Sequence, residues 1–201
     1  QAKAVGAVVV GGDLAKSPTL SIAITAIGHT EKVITRSGAQ VGDSIYLSSL
    51  TGWSAAGLEI LTKNLSVSGR EAGSALNEYR APTLDLTTDF SSATSMCDVS
   101  DAVMIQSSQM ASAAGVQFAI ECELISLSSE FSELAKLAEL IGGNLWSWIL
   151  QGGEDHVLLA TGRDLPGIRI GKVVAGAGVV VLENGLEMKM APVAWSHFDK
   201  E

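Results

Sequence analysis

Apolar and polar positions alternate in short blocks along this chain, and turn residues separate the blocks. In residues 20–28, Ile22, Ile24 and Ala26 alternate with small or polar residues. This period of two is typical of a half-buried β-strand. Comparable blocks predict strands over residues 5–11, 20–28, 44–50, 94–99, 116–122, 156–161, 168–174, 179–183 and 186–190. Asn184-Gly185 joins the last two and is typical of a tight hairpin turn.

The segments between these strands carry apolar residues at helical spacing. Helices are predicted over residues 54–64, 100–114, 129–141 and 145–150, with a shorter one within residues 65–79. One face of the 129–141 helix carries four large apolar side chains: Phe131, Leu134, Leu137 and Leu140. Helices and strands are interspersed without a regular βαβ rhythm, which favours an α+β fold over a doubly wound parallel sheet.

The composition narrows the classes of protein that this chain can represent. Its 201 residues are 47% hydrophobic with a mean hydropathy of +0.31, which suits a substantial core in one or two domains. The net charge of −9 and the lack of a Lys/Arg cluster argue against a nucleic-acid partner. No apolar run reaches transmembrane length. Cys97 and Cys122 lack a CxxC spacing and are expected to be buried, reduced thiols of a cytoplasmic protein.

Three acidic motifs follow predicted strands or helices at turns. They are Gly11-Gly12-Asp13, the DVSD segment (residues 98–101) and the GGED loop (residues 152–155). Carboxylates presented by turns can bind Mg²⁺, and Mg²⁺ held in this way usually also binds a phosphate. The motifs therefore indicate a nucleotide-dependent phosphoryl-transfer site. The alternative interpretation is that each motif is an ordinary solvated turn.

The DVSD segment is the most specific of the three motifs. Asp98 lies near the end of a predicted strand, and Ser100 and Asp101 are expected to begin the next helix. A helix start offers free N–H groups to a phosphate, and the neighbouring carboxylates could bind a metal ion. A plain Ser/Asp helix cap would explain Ser100 and Asp101 as well. It would not explain an acid at Asp98, since capping requires none at a strand end.

A few other side chains are candidates for binding. Arg36 lies in a predicted turn, where it is either a solvated side chain or a cation for nucleotide phosphates. Trp195 lies in a polar tail and could stack on a planar ligand, whereas Trp146 and Trp148 are expected in the core. His156 has no His or Cys partner at metal-binding spacing, so we interpret it as structural.

These motifs belong to a longer ordered set. The set consists of Val9-Val10-Gly11-Gly12-Asp13, Arg36-Ser37-Gly38-Ala39 with Gly42-Asp43, Ala81-Pro82-Thr83, the DVSD segment, the GGED loop and Trp195-Ser196-His197-Phe198. Over essentially the whole chain, this order resembles the thiamine-monophosphate kinases. That family belongs to the superfamily that includes aminoimidazole ribonucleotide synthetase. The ordered set is far more specific than any one motif.

The resemblance implies a fold and an activity. The fold would be the two-domain, aminoimidazole ribonucleotide synthetase-like α+β architecture. Residues 1–42 would be a remnant of the N-terminal ATP- and Mg²⁺-binding domain, and residues 43–201 the C-terminal domain with a mixed sheet and packed helices. The activity would be transfer of the γ-phosphoryl group of ATP to thiamine phosphate, giving thiamine diphosphate. The full-length form would be a homodimer.

The resemblance also implies roles for seven residues. These are Mg²⁺ ligation by Asp13, Asp98 and Asp101, ATP binding by Arg36 and Ser100, and substrate binding by Glu154 and Trp195. Glu154 suits a cationic thiazolium or aminopyrimidine, and Trp195 suits its aromatic face. No catalytic side chain is identified, because metal ions and positioning provide most of the catalysis in phosphoryl transfer.

The chain departs from the family pattern at several places. Leu14, Ala102 and His156 stand where the family commonly has Thr, Gly and Tyr. The first residue is Gln1 rather than Met, and the family's further acidic Mg²⁺ ligands near the start are not found. We therefore expect a C-terminal portion that does not catalyse phosphoryl transfer by itself.

Other interpretations remain open at the level of sequence. One is another member of the superfamily, such as a selenophosphate or purine-biosynthetic synthetase. The hydrogenase-maturation relative would end in a cysteine, whereas this chain ends in Asp199-Lys200-Glu201. A different class of alternative is a non-catalytic fragment that binds a ligand or dimerises.

Overall fold

The computed structural model describes residues 2–85 and 87–190. The chain divides into two compact units, residues 1–33 and residues 34–201. These units meet in sequence between Val33 and Ile34. The domain boundary after residue 42, which the family resemblance implies, stays a prediction.

The first unit contains little regular structure in its described residues. A short 3-10 helix spans Ala2–Val5, and no strand follows it in this unit. The predicted strands over residues 5–11 and 20–28 are therefore wrong for the structure described. A strand needs a neighbour for its N–H and C=O groups, and apolar side chains such as Val10 and Ile24 remain 91% and 87% exposed.

The second unit is built on a seven-stranded mixed sheet. Its strands are β1 Ser44–Leu47, β2 Ser95–Val99, β3 Gln117–Glu121, β4 Val157–Gly162, β5 Ile168–Val174, β6 Gly178–Glu183 and β7 Leu186–Glu187. Their order across the sheet is β2-β4-β1-β5-β3-β6-β7. Within residues 2–85 and 87–190, β3 and β6 pair in parallel and the other neighbouring strands pair antiparallel. This mixed sheet confirms the α+β prediction.

Helices pack against the sheet and enclose one main core. They are α1 Trp53–Thr62, α2 Arg70–Arg80, α3 Val103–Ala114, α4 Cys122–Ser126, α5 Phe131–Ile141 and α6 Leu145–Gln151. The core centres on fully buried side chains including Phe118, Met110, Leu134, Ile149 and Leu159. In the part of the chain that the structure describes, no helix is both long and apolar enough to span a membrane.

Two predicted details of the helices are wrong. The short helix expected within residues 65–79 is α2, a full 11-residue helix that ends at Arg80. In α5, Leu140 is 65% exposed, while Ala138 takes a buried position beside Leu134 and Leu137. A helix turns 100° per residue, so each step of three residues rotates a side chain away from the one before it. By Leu140 the side chain no longer points at the core.

Both cysteines are buried and unpaired, as predicted. Burial raises the pKa of the Cys97 thiol to about 11, although Arg36 nearby acts in the opposite direction. Burial also raises the pKa of the Cys122 thiol to about 11, and the Glu183 and Glu123 carboxylates add to this effect. Both thiols should therefore be protonated and unreactive in the native state.

A thiol-reactivity assay checks this expectation. At pH 8 the native chain should react negligibly with a disulfide reagent such as dithionitrobenzoate. Both thiols should react fully once guanidinium unfolds the protein. Rapid release of one equivalent of thionitrobenzoate from the native chain would contradict the burial of one of the two cysteines.

Candidate functional site

The DVSD segment lies at the carboxyl end of β2. Cys97 and Val99 point into the core, so Asp98 between them faces outward. Its Oδ1 lies 3.8 Å from Nη2 of Arg36, and both side chains are about half exposed. The backbone holds Arg36 beside this strand, because its carbonyl accepts a hydrogen bond of 2.8 Å from Ser95 Oγ. The structure thus brings a predicted metal ligand and a predicted ATP-binding residue together.

The helix after the DVSD segment begins later than predicted. Helix α3 starts at Val103, and Ala102 is its N-cap. Ala102 N–H donates to Gln106 Oε1 at 2.9 Å, and Gln106 Nε2 donates to Asp101 Oδ2 at 3.2 Å. Gln106, from the second turn, therefore accepts a hydrogen bond at the start of the helix. Ser100 and Asp101 lie in a bend before the helix, which leaves Ser100 free of a capping role.

The GGED loop runs alongside the DVSD segment. Glu154 N–H donates to the carbonyl oxygen of Ser100 at 2.7 Å, and His156 N–H donates to that of Val99 at 3.1 Å. A Cβ on Gly153 would lie only 2.3 Å from the carbonyl oxygen of Asp101. This contact requires glycine at position 153, and it makes the two motifs direct neighbours.

A pocket opens where these motifs meet the first turns of α1 and the last turn of α2. We call it the motif pocket; its volume is about 370 Å³, within the usual range for small-molecule sites. Its lining includes Ser100, Asp101 and Glu154, together with Ser54 of α1 and Tyr79 of α2. One residue from each predicted role, ATP binding, metal binding and substrate binding, therefore lines the same pocket.

Glu154 and His156 form a pair at the edge of this region. His156 Nε2 lies 3.2 Å from Glu154 Oε2, and both residues have positive φ angles, 52° and 68°. Strand β4 begins only at Val157. His156 therefore lies just before the strand, so the prediction of His156 as a strand residue is wrong. Its side chain contacts Glu154, a predicted substrate-binding residue. Positive φ in residues other than glycine often marks functional sites.

Asp155 has a role that the sequence did not reveal. Its side chain is 2% exposed, and it accepts hydrogen bonds from Gly52 N–H at 2.7 Å and Ser54 N–H at 2.9 Å. It thereby caps α1 from 103 positions away, because the N-cap Gly52 has no side chain to do so. Burial raises the pKa of Asp155 to about 6, while these two hydrogen bonds act to lower it.

The described residues provide only part of a metal site. No group of three or more His, Cys, Asp or Glu side chains lies close enough to hold a metal ion within the described ranges. Asp98 and Asp101 supply carboxylate oxygens, the donors that Mg²⁺ prefers, and Mg²⁺ commonly uses one or two protein carboxylates together with phosphate oxygens. The donor chemistry of these two residues therefore fits Mg²⁺.

Two predicted site residues, Asp13 and Trp195, lie outside the described residues of the second unit. Asp13 belongs to the first unit, where it is exposed and accepts a hydrogen bond from Leu14 N–H at 2.9 Å. Neither Gly11 nor Gly12 has a positive φ angle, so this turn does not depend on glycine geometry. Trp195 lies outside the described residues. The metal-binding role of Asp13 and the substrate-binding role of Trp195 stay predictions.

The fold defines the class of protein. Over 85% of this chain and 56% of the other, the structure matches E. coli HypE, a hydrogenase maturation protein, with a TM-score of 0.58 at 15% sequence identity. At that identity the match shows the fold alone. The chain has the aminoimidazole ribonucleotide synthetase-like fold.

Sequence similarity relates the chain to the thiamine-monophosphate kinases. The chain is 33% identical to the thiamine-monophosphate kinase of Aquifex aeolicus (strain VF5), over 94% of this chain and 63% of that protein. It is 34% identical to the thiamine-monophosphate kinase of Corynebacterium glutamicum, over 76% of this chain and 47% of that protein. These matches identify the chain as a homologue of the thiamine-monophosphate kinases and confirm the resemblance of its motifs.

A solved structure of the same family supports this identification. The structure of AaThiL complexed with AMPPCP and TMP is 31% identical in sequence, with a TM-score of 0.68 over 84% of this chain and 55% of that one. No protein-family model matches the chain. The chain spans roughly half to two thirds of the length of these relatives.

Proposed function

We propose that this chain forms part of an ATP-dependent kinase that transfers the γ-phosphoryl group of ATP to thiamine phosphate. The product is thiamine diphosphate. Its relatives are thiamine-monophosphate kinases, and one related structure contains AMPPCP, an ATP analogue, and TMP. The observation that carries the proposal is the hydrogen bond from Glu154 N–H to the Ser100 carbonyl. It joins a predicted nucleotide-binding motif to a predicted substrate-binding motif.

Asp98, Asp101 and Arg36 have the chemistry to manage the charge of a triphosphate. Mg²⁺, when bound to the two aspartates, would neutralise phosphate oxygens during transfer. Arg36 lies beside Asp98 in a half-exposed ion pair of 3.8 Å. Such exposed pairs contribute only about 0–1 kcal/mol. The Arg36 guanidinium can therefore leave Asp98 and bind a phosphate with little loss of free energy.

Glu154 has the chemistry to bind the organic end of the acceptor. Its backbone is held by Ser100, while its carboxylate is 69% exposed at the motif pocket. A cationic thiazolium or an aminopyrimidine can pair with this carboxylate. We further propose that the full-length form is a homodimer located in the cytoplasm. We also propose that Asp13 takes part in Mg²⁺ binding.

An acceptor assay tests the proposed reaction. The chain is incubated with ATP and Mg²⁺, alone and together with the segment of the Aquifex aeolicus relative that it does not cover. Thiamine phosphate, free thiamine, selenide and formylglycinamidine ribonucleotide are compared as acceptors. We expect thiamine diphosphate only from thiamine phosphate and only when the added segment is present. Turnover of formylglycinamidine ribonucleotide or selenide without turnover of thiamine phosphate would assign the chain to another branch of the superfamily.

Substitution of Glu154 by glutamine tests its part in the site. Loss of the carboxylate charge should weaken thiamine phosphate binding about tenfold, since charge-assisted hydrogen bonds contribute about 1.5–3 kcal/mol. Binding of AMPPCP should remain within about twofold, because the nucleotide contacts lie on the DVSD segment. Calorimetric titration measures both affinities.

Glu139→Gln on the exposed side of α5 is the matched control for this substitution. It removes the same charge away from the motif pocket and should change neither affinity. An equal loss of AMPPCP and thiamine phosphate affinity in Glu154→Gln would indicate a general structural role for Glu154 instead.

A further inference from the structure

One wall of the motif pocket comes from helices that carry none of the family motifs. Ser54, Ala55 and Leu58 of α1 and Tyr79 of α2 line it. The lining also includes the acidic residues Asp101 and Glu154, and among the described residues it contains no Lys, Arg or His. A bare anionic group is unfavourable in such a setting. A flat ring with positive charge can pair with the carboxylates and pack on the aromatic ring.

Tyr79 is held in place by close packing between α1 and α2. A Cβ on Gly57 of α1 would lie 2.2 Å from the carbonyl oxygen of Ala75 and 2.8 Å from Tyr79 Cβ. The two backbones therefore approach as closely as glycine permits, and this fixes the point from which the Tyr79 ring projects. The side chain remains 37% exposed. A ring held in this way presents its face to a ligand with little further ordering.

The Ser54 hydroxyl provides an independent indication of a ligand. Among the described residues, the buried side-chain polar atoms without a hydrogen-bond partner are Ser54 Oγ and Ser107 Oγ. Buried hydroxyls are nearly always satisfied, so each exception calls for an explanation. Ser54 lines the motif pocket, whereas Ser107 does not. A polar atom of the ligand, or a water that the ligand holds in place, would complete the hydrogen bonding of Ser54.

We infer that Tyr79 and Ser54 are specificity-determining residues that receive the cationic heteroaromatic end of the acceptor in the motif pocket. This inference rests on the proposed function. Tyr79 contacts the face of the ring, Glu154 pairs with its positive charge and Ser54 satisfies a polar ring substituent. The phosphate of the acceptor stays outside this pocket, where it meets the metal and the Arg36 side chain.

Substitutions at Tyr79 test the aromatic contact. Tyr79→Leu should weaken thiamine phosphate binding about tenfold, while Tyr79→Phe, which retains the ring, should stay within about twofold. AMPPCP affinity should be unchanged in both. An analogue with a neutral thiophene in place of the thiazolium should lose less than about threefold in Tyr79→Leu, because no cation–π contact is present to lose. Thermal unfolding of each variant verifies that it folds.

Ser54→Ala and Ser107→Ala form a matched pair, since both remove a buried hydroxyl that has no hydrogen-bond partner among the described residues. Ser54→Ala should weaken thiamine phosphate binding about fivefold, and Ser107→Ala should leave it unchanged. Equal effects of the two substitutions would overturn the role of Ser54.

The outcomes separate this inference from the proposed function. Unchanged thiamine phosphate affinity in Tyr79→Leu, with binding by the wild-type chain intact, overturns the inference alone. An equal loss for the neutral analogue shows apolar packing and overturns the cation-binding assignment. Failure of the wild-type chain, with the segment of the Aquifex aeolicus relative added, to bind thiamine phosphate at millimolar concentration overturns the inference together with the proposed function.

Discussion

Replacement of Asp155 by alanine is expected to lower the free energy of unfolding at pH 7 by about 2–3 kcal/mol. The carboxylate accepts hydrogen bonds from Gly52 and Ser54 N–H at the buried start of α1. Alanine leaves both donors without an acceptor, and water cannot readily replace it at a side chain that is 2% exposed. Urea denaturation followed by circular dichroism measures the change.

Two further variants sharpen this test. Asp155→Asn preserves the shape but offers one acceptor oxygen to two donors, so its loss should be about 1–2 kcal/mol. Asp89→Ala is the control, because this exposed carboxylate accepts local hydrogen bonds from the neighbouring Ser91. Its loss should cost far less stability than the loss of the Asp155 carboxylate. Equal stability of Asp155→Ala and the wild-type protein would show that Asp155 does not cap α1.

The pH dependence of the same variants follows from the pKa of Asp155. Burial raises this pKa from 3.8 to about 6 in the folded protein, so the native state binds the proton more tightly than the unfolded state. The part of the Asp155 contribution that comes from proton binding is therefore fully present below about pH 4 and is lost as the pH rises through about 6. At pH 7 the hydrogen bonds to Gly52 and Ser54 N–H remain. The difference in stability between wild type and Asp155→Asn should be larger at pH 4.5 than at pH 7.5.

Replacement of Gly153 by alanine is expected to reduce thiamine phosphate affinity about 100-fold, since displacing the whole loop removes charge-assisted contacts that contribute up to about 3 kcal/mol. The new Cβ would lie 2.3 Å from the Asp101 carbonyl oxygen and 2.8 Å from that of Ser100. The GGED loop and the DVSD segment must then separate. This breaks the hydrogen bond from Glu154 to Ser100 and moves the Glu154 carboxylate away from the motif pocket.

Gly73→Ala in α2 is the matched control for this substitution, because nothing lies within 4 Å of the added Cβ. It should leave binding unchanged and raise stability by about 0.5–1 kcal/mol through better helix propensity. Titration calorimetry and urea denaturation measure the two effects. Unchanged thiamine phosphate affinity in Gly153→Ala would contradict the dependence of the site on contact between the two motifs.

The local pattern of apolar residues predicted a strand correctly where a neighbouring strand is present to pair with it. The strand over residues 168–174 has the predicted bounds because its backbone pairs with β1 on one side and with β3 on the other. Its apolar side chains are buried or half-buried. The period of two in residues 20–28 is equally regular, yet no strand forms there. Alternation shows which face of a segment is apolar. It does not provide the neighbouring strand that the backbone needs.

The order of the motifs revealed the resemblance to the thiamine-monophosphate kinases, whereas only the structure showed how the motifs contact one another. The sequence alone placed Asp98, Ser100, Asp101 and Glu154 in motifs, because chemistry and spacing along the chain suffice for that. It did not show that Gly153 touches the DVSD segment or that Asp155 caps α1. Nor did it show that Tyr79 and Ser54 share a pocket with Glu154. Such contacts join residues far apart in the chain, and only packing of the whole second unit brings them within hydrogen-bonding or van der Waals distance.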